Sequence, residues 1–275
     1  MSRLASTFER TRTEGRAAFV SFLVAGDPDL ATSEELIVAL ESGGSDVIEL
    51  GVPFSDPIAD GPVNQRGAQR ALAAGTTLDG ILALVGRVRS RVAAPLVLFT
   101  YFNPIHSRGV ERFARQAAAV GVDGVLCVDL PPEEGADLRR ALGRHGIDSV
   151  LLLSPTSTPQ RIRLASSAAS GFVYYVSRAG VTGEQAQLAQ DLEAEVRRVK
   201  RMVGLPVAVG FGISTAAQVA AVGNWADGVV VGSALVRTVE AALHGGNVGH
   251  LSARVRAKVR ELSAPLKRGV GKGKR

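Results

Sequence analysis

Two acidic side chains, Glu49 and Asp60, stand where a short apolar segment passes into a loop rich in proline. The segment 46–50 is short and β-branched, which predicts a buried strand. Side chains alternate along a strand, so Glu49 shares one face with Val47. A carboxylate in such a run is costly to bury unless it is hydrogen-bonded, paired or needed for its shifted pKa.

The loop after this strand is stiffened by three prolines, at 53, 57 and 62, and it presents Asp56 and Asp60. A buried acid at the end of a strand and a second acid in the rigid loop that follows are typical of general acid/base chemistry. The alternative is structural, because an acid in this position can also cap a helix or pair with an arginine.

Elements that would position these acids alternate regularly along the chain. Strands are predicted at 18–24, 46–50, 96–101, 124–129, 149–154, 172–177, 206–210 and 228–232. Helices are predicted at about 2–12, from about 33 to 43, at 63–74, 77–92 and 109–119, from Pro131, from Thr158, at 185–202, from Ser214, and from Ser233 to about 263.

About eight strand–helix units in a chain of 275 residues predict an α/β fold, a single closed (β/α)₈ TIM barrel. A helix precedes the first strand, and an extra helix fits after the second. The alternative is an open doubly wound sheet, but Gly26-Asp27-Pro28 after the first strand is not a dinucleotide-binding fingerprint. We expect one catalytic domain over residues 1–265.

The basic character of the chain is concentrated at its C-terminus. The net charge is +6, yet nine lysines and arginines and only one acid lie from Arg254 onward. Residues 266–275 are predicted to form a basic, disordered tail that favours solubility over specific nucleic-acid binding. No apolar run reaches the ~20 residues of a membrane span, and no signal-peptide pattern opens the chain, which predicts a cytoplasmic protein.

Catalytic residues of a (β/α)₈ barrel lie at the carboxyl ends of its strands, and phosphate commonly binds after the last two. Glycine-bearing turns follow the last three strands of this chain, at 177–183, 210–214 and 232–233. Glycine allows backbone N–H groups to approach a ligand, and Ser233 begins a helix whose N-terminus favours an anion. A phosphorylated substrate is therefore expected, although tight turns also require glycine.

Other catalytic groups are poorly placed. None of the five lysines lies at the carboxyl end of a predicted strand, so a Schiff-base mechanism has no amine to use. The four histidines lack the spacing of metal ligands, so no metal site is predicted. Cys127, the single cysteine, stands in an apolar strand and is expected to be a core thiol.

The sequence from Glu49 to Pro62, Glu-Leu-Gly-Val-Pro-Phe-Ser-Asp-Pro-Ile-Ala-Asp-Gly-Pro, resembles the signature of the tryptophan synthase alpha subunit family. The segments 177–183 (Ser-Arg-Ala-Gly-Val-Thr-Gly) and 210–214 (Gly-Phe-Gly-Ile-Ser) resemble later motifs of the family, in the same order and spacing. Gly26-Asp27-Pro28 and Tyr101-Phe102-Asn103-Pro104 also fit. The resemblance covers residues 4–262, and only the basic tail departs from it.

The resemblance implies retro-aldol cleavage of indole-3-glycerol phosphate to indole and glyceraldehyde 3-phosphate. By the same resemblance, Glu49 would transfer protons at indole C3 and at the side-chain hydroxyl, and Asp60 would bind the indole N–H. No cofactor is implied for this chain. The partner would be a pyridoxal-phosphate-dependent beta subunit that receives the indole, in an alpha2-beta2 heterotetramer.

Further site residues follow from the match of motifs. The substrate-binding set implied is Phe22, Tyr101, Tyr174, Thr182, Gly183, Phe211, Gly212, Gly232 and Ser233, of which the four aromatic residues would line the indole pocket. Each aromatic residue is equally compatible with the barrel core. The set expected to contact the beta subunit is Pro53, Asp56 and Pro57, and residues 177–190 are predicted to close as a lid.

Two other functions remain compatible with the sequence. One is a different phosphate-binding barrel enzyme, such as an isomerase or epimerase, whose substrate would lack an indole ring. The other is a non-catalytic partner that keeps the fold and activates a beta subunit. The presence of both carboxylates argues against such a degenerate partner.

Overall fold

Eight parallel strands close into a barrel in chain order, with β1 paired to both β2 and β8. The structure, a computed structural model, describes residues 1–176, 185–210, 212–246 and 248–267, without the side chains of 185–190 and 248. The strands are β1 (Ala18–Val24), β2 (Val47–Gly51), β3 (Leu96–Thr100), β4 (Gly124–Cys127), β5 (Asp148–Leu153), β6 (Val173–Val176), β7 (Val207–Gly210) and β8 (Gly228–Val231). The predicted (β/α)₈ barrel is confirmed.

Helices cover the outer side of the barrel and one of its ends. They are α1 (Arg3–Thr13), α2 (Leu30–Gly43), α3 (Pro62–Ala73), α4 (Leu78–Val88), α5 (Phe102–Arg108), α6 (Val110–Val120), α7 (Ala136–Arg144), α8 (Pro159–Ala168), α9 (Gln185–Met202), α10 (Ala216–Gly223), α11 (Ser233–His244) and α12 (Leu251–Lys267). Both the N-terminal helix and the extra helix after the second strand are present, as predicted.

Three helices differ from the prediction for local reasons, and the helix predicted at 77–92 ends earlier, at Val88. The helix predicted from 33 begins at Leu30, because Asp29 caps it and the Ser33 hydroxyl accepts the Gly26 N–H instead. The prediction missed α5, whose one proline lies in its first turn, where proline is tolerated. The helix predicted from Pro131 begins only at Ala136, because the intervening residues form hydrogen-bonded turns.

The last helix extends further than predicted. It continues to Lys267, and Leu266 is 6% exposed in the hydrophobic core. The disorder predicted for residues 266–275 is therefore wrong for Leu266 and Lys267, because packing of Leu266 continues the helix. Residues 268–275 lie outside the described part of the chain.

Inward-facing side chains of the strands fill the barrel, and α1 closes its lower end. Leu4 and Phe8 of α1 join the interior cluster of Val47, Val97, Val150, Phe172, Ala208 and Val230. The Phe8 and Phe172 rings lie 5.2 Å apart between centroids. Because α1 covers the amino ends of the strands, the chemistry of the barrel is expected at their carboxyl ends.

An ion-pair network joins three elements beside that open end. Arg70 on α3 donates two hydrogen bonds of 2.8 Å to Asp27, which is 3% exposed in the loop after β1. Arg70 also contacts Glu240 on α11 at 3.1 Å, and Arg66 donates two further hydrogen bonds to Glu240. The network thus connects the helix that follows Asp60 with the helix that begins at Ser233.

Among the described residues, no single helix is long and apolar enough to cross a membrane. Within the same part of the chain, α3 and α4 together reach the length and apolar content of such a span, but they are bent by 94° at the break between them.

Candidate active site

Glu49 lies on β2 inside the barrel, in register with Phe22 on β1 and Val97 on β3. Its side chain is fully buried, and neither carboxyl oxygen has a hydrogen-bond partner within the described residues. Burial without a counter-charge raises the pKa of Glu49 to about 8. The group is therefore protonated at neutral pH and suited to act first as a proton donor.

Tyr174 on β6 shares this buried environment. Burial, followed by the charge of Glu49, raises the pKa of the Tyr174 phenol well above its ordinary value, so the phenol is neutral. Its hydroxyl lies so close to Gly210 on β7 that an added Cβ there would stand 2.2 Å from Oη. Only glycine at position 210 leaves room for this tyrosine.

Asp60 lies in the loop between β2 and α3, held by groups from two elements. The Tyr101 hydroxyl, at the end of β3, donates to Asp60 Oδ2 at 2.9 Å and accepts the Ala59 N–H at 3.0 Å. On α3, the Gln65 amide donates to the backbone oxygens of Asp60 and Pro57 at 2.9 and 3.3 Å. Both the carboxylate and the backbone of the loop are thereby fixed.

The protonation of Asp60 reflects opposing effects. Burial raises the pKa of the Asp60 carboxyl, while hydrogen bonds from Tyr101 and Asn64 lower it, and the net direction is upward. Burial and the neighbouring Asp60 charge raise the pKa of the Tyr101 phenol, so this phenol acts as a donor and not as a second base.

The predicted aromatic residues divide between two adjacent spaces. Phe22 and Tyr101 line a small recess together with Asp60, whereas Tyr174 lines a larger pocket of about 600 Å³. Phe99 lines both spaces and packs edge-on against Phe22, with ring centroids 5.3 Å apart. The structure therefore places these predicted side chains in one region at the mouth of the barrel.

Among the apolar lining residues of the larger pocket that were absent from the predicted site are Phe99, Val128, Leu152 and Val176. Each packs on the edge of the interior cluster. In the sequence, every second residue of a strand faces inward, so Leu152 follows Val150 on the inner side. The pattern thus continues above the part of the barrel that side chains fill. The pocket wall is the upper layer of the barrel core.

The expected phosphate end has the backbone geometry for anion binding. Gly212 has a φ of +77°, a conformation that favours glycine, and α11 begins at Ser233. Gly232 precedes that helix without a side-chain cap and packs against Phe22. Amide groups in the first turn of a helix lack partners within the helix, and they favour an anion.

Three predicted site residues lie outside the described part of the chain: Thr182, Gly183 and Phe211. The predicted lid at 177–190 falls there too, apart from the backbone of α9 from Gln185.

The loop expected to contact a partner presents both polar and apolar side chains. Pro53 is buried and Pro57 is half-buried, while Asp56 is exposed and accepts the Ser55 hydroxyl at 2.7 Å. Ile58, which sequence reasoning did not single out, is 86% exposed. The signal in the sequence was a large apolar residue in a surface loop, preceded by Pro57 and followed by Asp60.

The described lysines lie away from this mouth. Lys200 binds Asp227 at 2.7 Å, and Asp227 accepts the N–H of Val207 at the amino end of β7. Lys258 pairs with Glu261 along α12, and Lys267 ends that helix beside Gly44. The positions of these three lysines agree with a reaction that uses carboxylates instead of an amine.

Known proteins resemble this chain along most of its length. A family model described as "Tryptophan synthase alpha chain" matches residues 8–266. The tryptophan synthase alpha chain of Geobacter sulfurreducens is 54% identical over 240 residues, covering 87% of this chain and 91% of that protein. The one from Geobacter sp. strain M21 is 49% identical over 275 residues and covers 100% of both chains.

The chain belongs to the tryptophan synthase alpha chain family. The tryptophan synthase alpha subunit of Legionella pneumophila superposes on it with a TM-score of 0.87, at 36% identity, over 96% of this chain and 99% of that one. Mycobacterium tuberculosis tryptophan synthase gives a TM-score of 0.85 at 40% identity, over 97% and 98% of the two chains. As a member of the family, the protein is a lyase of tryptophan biosynthesis that cleaves indole-3-glycerol phosphate, and the family works with a beta subunit.

Proposed function

We propose that Glu49 is the proton donor and acceptor of the retro-aldol cleavage. The observation that carries this role is its dry, unpaired carboxyl group, with a pKa of about 8. Protonation of indole C3 by Glu49 turns the ring into an iminium-like electron sink. The resulting carboxylate takes the proton of the side-chain hydroxyl as the C–C bond breaks, which releases indole and glyceraldehyde 3-phosphate and restores the acid.

Asp60 acts at the other side of the ring. Its carboxylate accepts the indole N–H, where positive charge develops once C3 is protonated. This interaction is stronger in the transition state than in the bound substrate, which is the condition for catalysis. The hydrogen bond from Tyr101 fixes the direction of the carboxylate before the substrate arrives.

The remaining site residues bind the two ends of the substrate. Phe22, Tyr101, Tyr174 and Phe211 surround the indole ring, while Thr182, Gly183, Gly212, Gly232 and Ser233 hold the phosphate. The juxtaposition of Gly232 and Phe22 supports this arrangement, because it brings the start of α11 against the aromatic region. Residues 177–190 close over the bound phosphate.

The reaction on this chain requires no cofactor, because the protonated indole ring supplies the electron sink. Pyridoxal phosphate belongs to the beta subunit, which takes up the indole within a cytoplasmic alpha2-beta2 heterotetramer. The docking face is the loop with Pro53, Asp56 and Pro57, in which Pro53 is buried while Asp56 and the neighbouring Ile58 are exposed.

Indole release from indole-3-glycerol phosphate, measured with and without a beta subunit, tests the catalytic roles. Glu49→Gln keeps the shape of the side chain and removes the transferable proton. We expect turnover to fall by about 10²–10⁴-fold, the usual contribution of a general acid/base group, with little change in substrate affinity. A matched control is Glu111→Gln, which removes an exposed carboxylate paired with Arg144 on the outer helices. A Glu49→Gln enzyme that retains more than about a tenth of normal turnover would contradict the role.

A further inference from the structure

Residues 57–60 form a tight turn that carries the acid of the recess. The Asp60 N–H donates to the Pro57 carbonyl oxygen at 3.0 Å, which is the hydrogen bond that closes a four-residue β-turn. Ile58 and Ala59 occupy the two central positions. One hydrogen bond within a turn does not offset the conformational entropy of a free loop, so the turn depends on groups outside it for a single conformation.

Two side chains from different elements hold this turn. The Tyr101 hydroxyl, after β3, accepts the Ala59 N–H and donates to Asp60 Oδ2. The Gln65 amide, on α3, donates to the backbone oxygens of Pro57 and Asp60, at 3.3 and 2.9 Å. Since these two are the first and last residues of the turn, the Gln65 side chain spans it from end to end.

The orientation of the Gln65 amide follows from the chemistry of its partners. Both are carbonyl oxygens, which only accept hydrogen bonds, so the amide nitrogen must face them. The nitrogen carries two hydrogens, one for each oxygen. A carboxylate or an apolar group of the same length would leave both interactions unmade, so the position requires a glutamine.

The helix α3 gives Gln65 a fixed base. Two residues further along, Gly67 packs so closely that an added Cβ would stand 3.1 Å from Val24 on β1 and 3.2 Å from Val236 on α11. Arg70 then binds the helix to the buried acid in the loop after β1. Gln65 is not one of the described residues that line the recess or the larger pocket. It therefore links a packed helix to the turn without entering the site.

We propose that Gln65 is a positioning residue of the cleavage reaction, which holds the turn at 57–60 and thereby keeps the Asp60 carboxylate where it meets the indole N–H. The inference rests on the role proposed above for Asp60. Because Asp60 acts mainly in the transition state, the loss of Gln65 lowers kcat more than it changes KM. A misplacement of about 1 Å at a reacting group can cost about 10²-fold in rate.

Gln65→Met tests this role, because methionine has the same length and a similar helix propensity and lacks both N–H groups. We expect kcat for indole release to fall by about 10-fold to 10²-fold, with KM changed by less than about threefold. The matched control is Gln69→Met, one turn further along α3, because the Gln69 side chain is exposed and makes no described hydrogen bond. We expect this control to keep the kcat of the wild type.

Amide hydrogen exchange at Ala59 and Asp60, followed by NMR in the free enzyme, reports on the turn independently of catalysis. We expect both amides to exchange faster in Gln65→Met than in the wild type, and at the wild-type rate in Gln69→Met. A glutamine that only stabilises α3 would instead speed exchange along the helix and leave the turn unchanged. That result would overturn the inference.

A double-mutant cycle with Asp60→Asn shows whether Gln65 acts through the acid. If it does, Gln65→Met lowers kcat in the wild type and leaves the residual kcat of Asp60→Asn unchanged. Equal losses in both backgrounds would overturn the inference and leave the proposed function standing. So would a normal kcat in Gln65→Met beside a low kcat in Asp60→Asn.

A normal kcat in Asp60→Asn would contradict the proposed function itself. Amide exchange then decides the inference separately. Faster exchange at the turn, confined to Gln65→Met, would support the hold of Gln65 on residues 57–60, and unchanged exchange would overturn it.

Discussion

The carboxyl group of Glu49 lies inside the barrel without a polar partner among the described residues, so its protonation is coupled to folding. Its pKa is about 8 in the folded chain, against an ordinary value of 4.5. Between these values the folded state binds more protons than the unfolded state. Its contribution to stability is therefore fully present below about pH 4.5 and is lost as the pH rises through 8.

Glu49→Gln should remove this pH dependence. We expect the variant to gain stability relative to the wild type as the pH rises from 5 to 8, by at most about 1.4 kcal/mol for each pH unit. Urea unfolding at the two pH values measures the difference, with Glu111→Gln as the surface control. A difference that stays constant or shrinks toward pH 8 would mean that Glu49 is already ionised in the folded chain.

Asp60→Asn should lose most of the activity, because a neutral amide cannot balance positive charge on the ring nitrogen. We expect a fall of about 10²–10³-fold in kcat, the range found when one preorganised electrostatic group is removed. Asp60→Glu should retain a little activity, since the charge remains but is displaced. Steady-state assays decide the point, and an Asp60→Asn enzyme as active as the wild type would reduce Asp60 to a loop-structuring residue.

Individual site residues differed in how far the sequence revealed them. Glu49 was predictable because a carboxylate interrupts a buried apolar strand, and Asp60 because it follows in a proline-rich loop. The place of Asn64 in the recess beside Asp60 was not predictable, because an amide in the first turn of a helix is common. Only the tertiary structure shows that its side-chain oxygen is buried. Phe99 and Leu152 were absent from the predicted site because inward-facing apolar residues look alike in sequence, whether they fill the core or line its open end.

At the scale of elements, the ion-pair network fixes α3 relative to α11. Asp27 is buried and depends on Arg70 to balance its charge, whereas the Arg66 side chain is 49% exposed. Burial has the largest effect on the Asp27 carboxyl and raises its pKa, whereas the contacts with Arg70 lower it. The two helices begin beside Asp60 and at Ser233, so the network links the element next to the proposed acid with the element that begins at the proposed phosphate site.

Arg70→Met should therefore destabilise the fold by about 3 kcal/mol, because it leaves the buried Asp27 without a counter-charge. Arg66→Met is the matched control on the same helix, because Arg66 pairs with Glu240, which Arg70 also contacts. An exposed pair of this kind is worth only about 0–1 kcal/mol. Urea unfolding measures both. Equal effects of the two substitutions would show that Asp27 does not depend on Arg70.

The elements that sequence reasoning located well are those with strong end signals. Thr215 caps α10 through a reciprocal capping box with Gln218, and the predicted strand 18–24 agrees with β1 at both ends. The missed α5 is only seven residues long and begins after an aromatic residue without a side-chain cap. Pro131 misled the prediction because proline initiates turns as readily as helices.

At the scale of the whole molecule, the barrel mouth combines Asp60, the acid proposed to act on the indole ring, with the loop proposed to bind a partner. Ile58 stands almost fully exposed two residues before Asp60, in the loop that Tyr101 and Gln65 hold. A protein that covers Ile58 would bury apolar surface and restrict the same loop. The beta subunit is expected to raise turnover in this way, by shifting the loop toward its catalytic conformation.

Asp56→Ala and Ile58→Ser should weaken activation by the beta subunit while largely preserving the rate of the free subunit. Both side chains are exposed and make no described contact with Glu49 or Asp60. Burial of an isoleucine is worth about 1.5–3 kcal/mol, so Ile58→Ser should weaken beta-subunit binding by about 10–100-fold. Titration of indole release with the beta subunit gives the affinity. Collapse of the basal rate with unchanged activation would place these residues in the active site instead.

Glu49 has no polar contact among the described residues through which it could exchange its proton with solvent. In the proposed cleavage, the hydrogen that Glu49 gives to carbon is replaced by the one it receives from the substrate hydroxyl. Each cycle leaves the acid as it began, and the overall reaction neither consumes nor releases H⁺. A carboxyl group buried in the barrel therefore needs no chain of water molecules to bulk solvent. The burial that raises its pKa does not slow the return of the group to its protonated form.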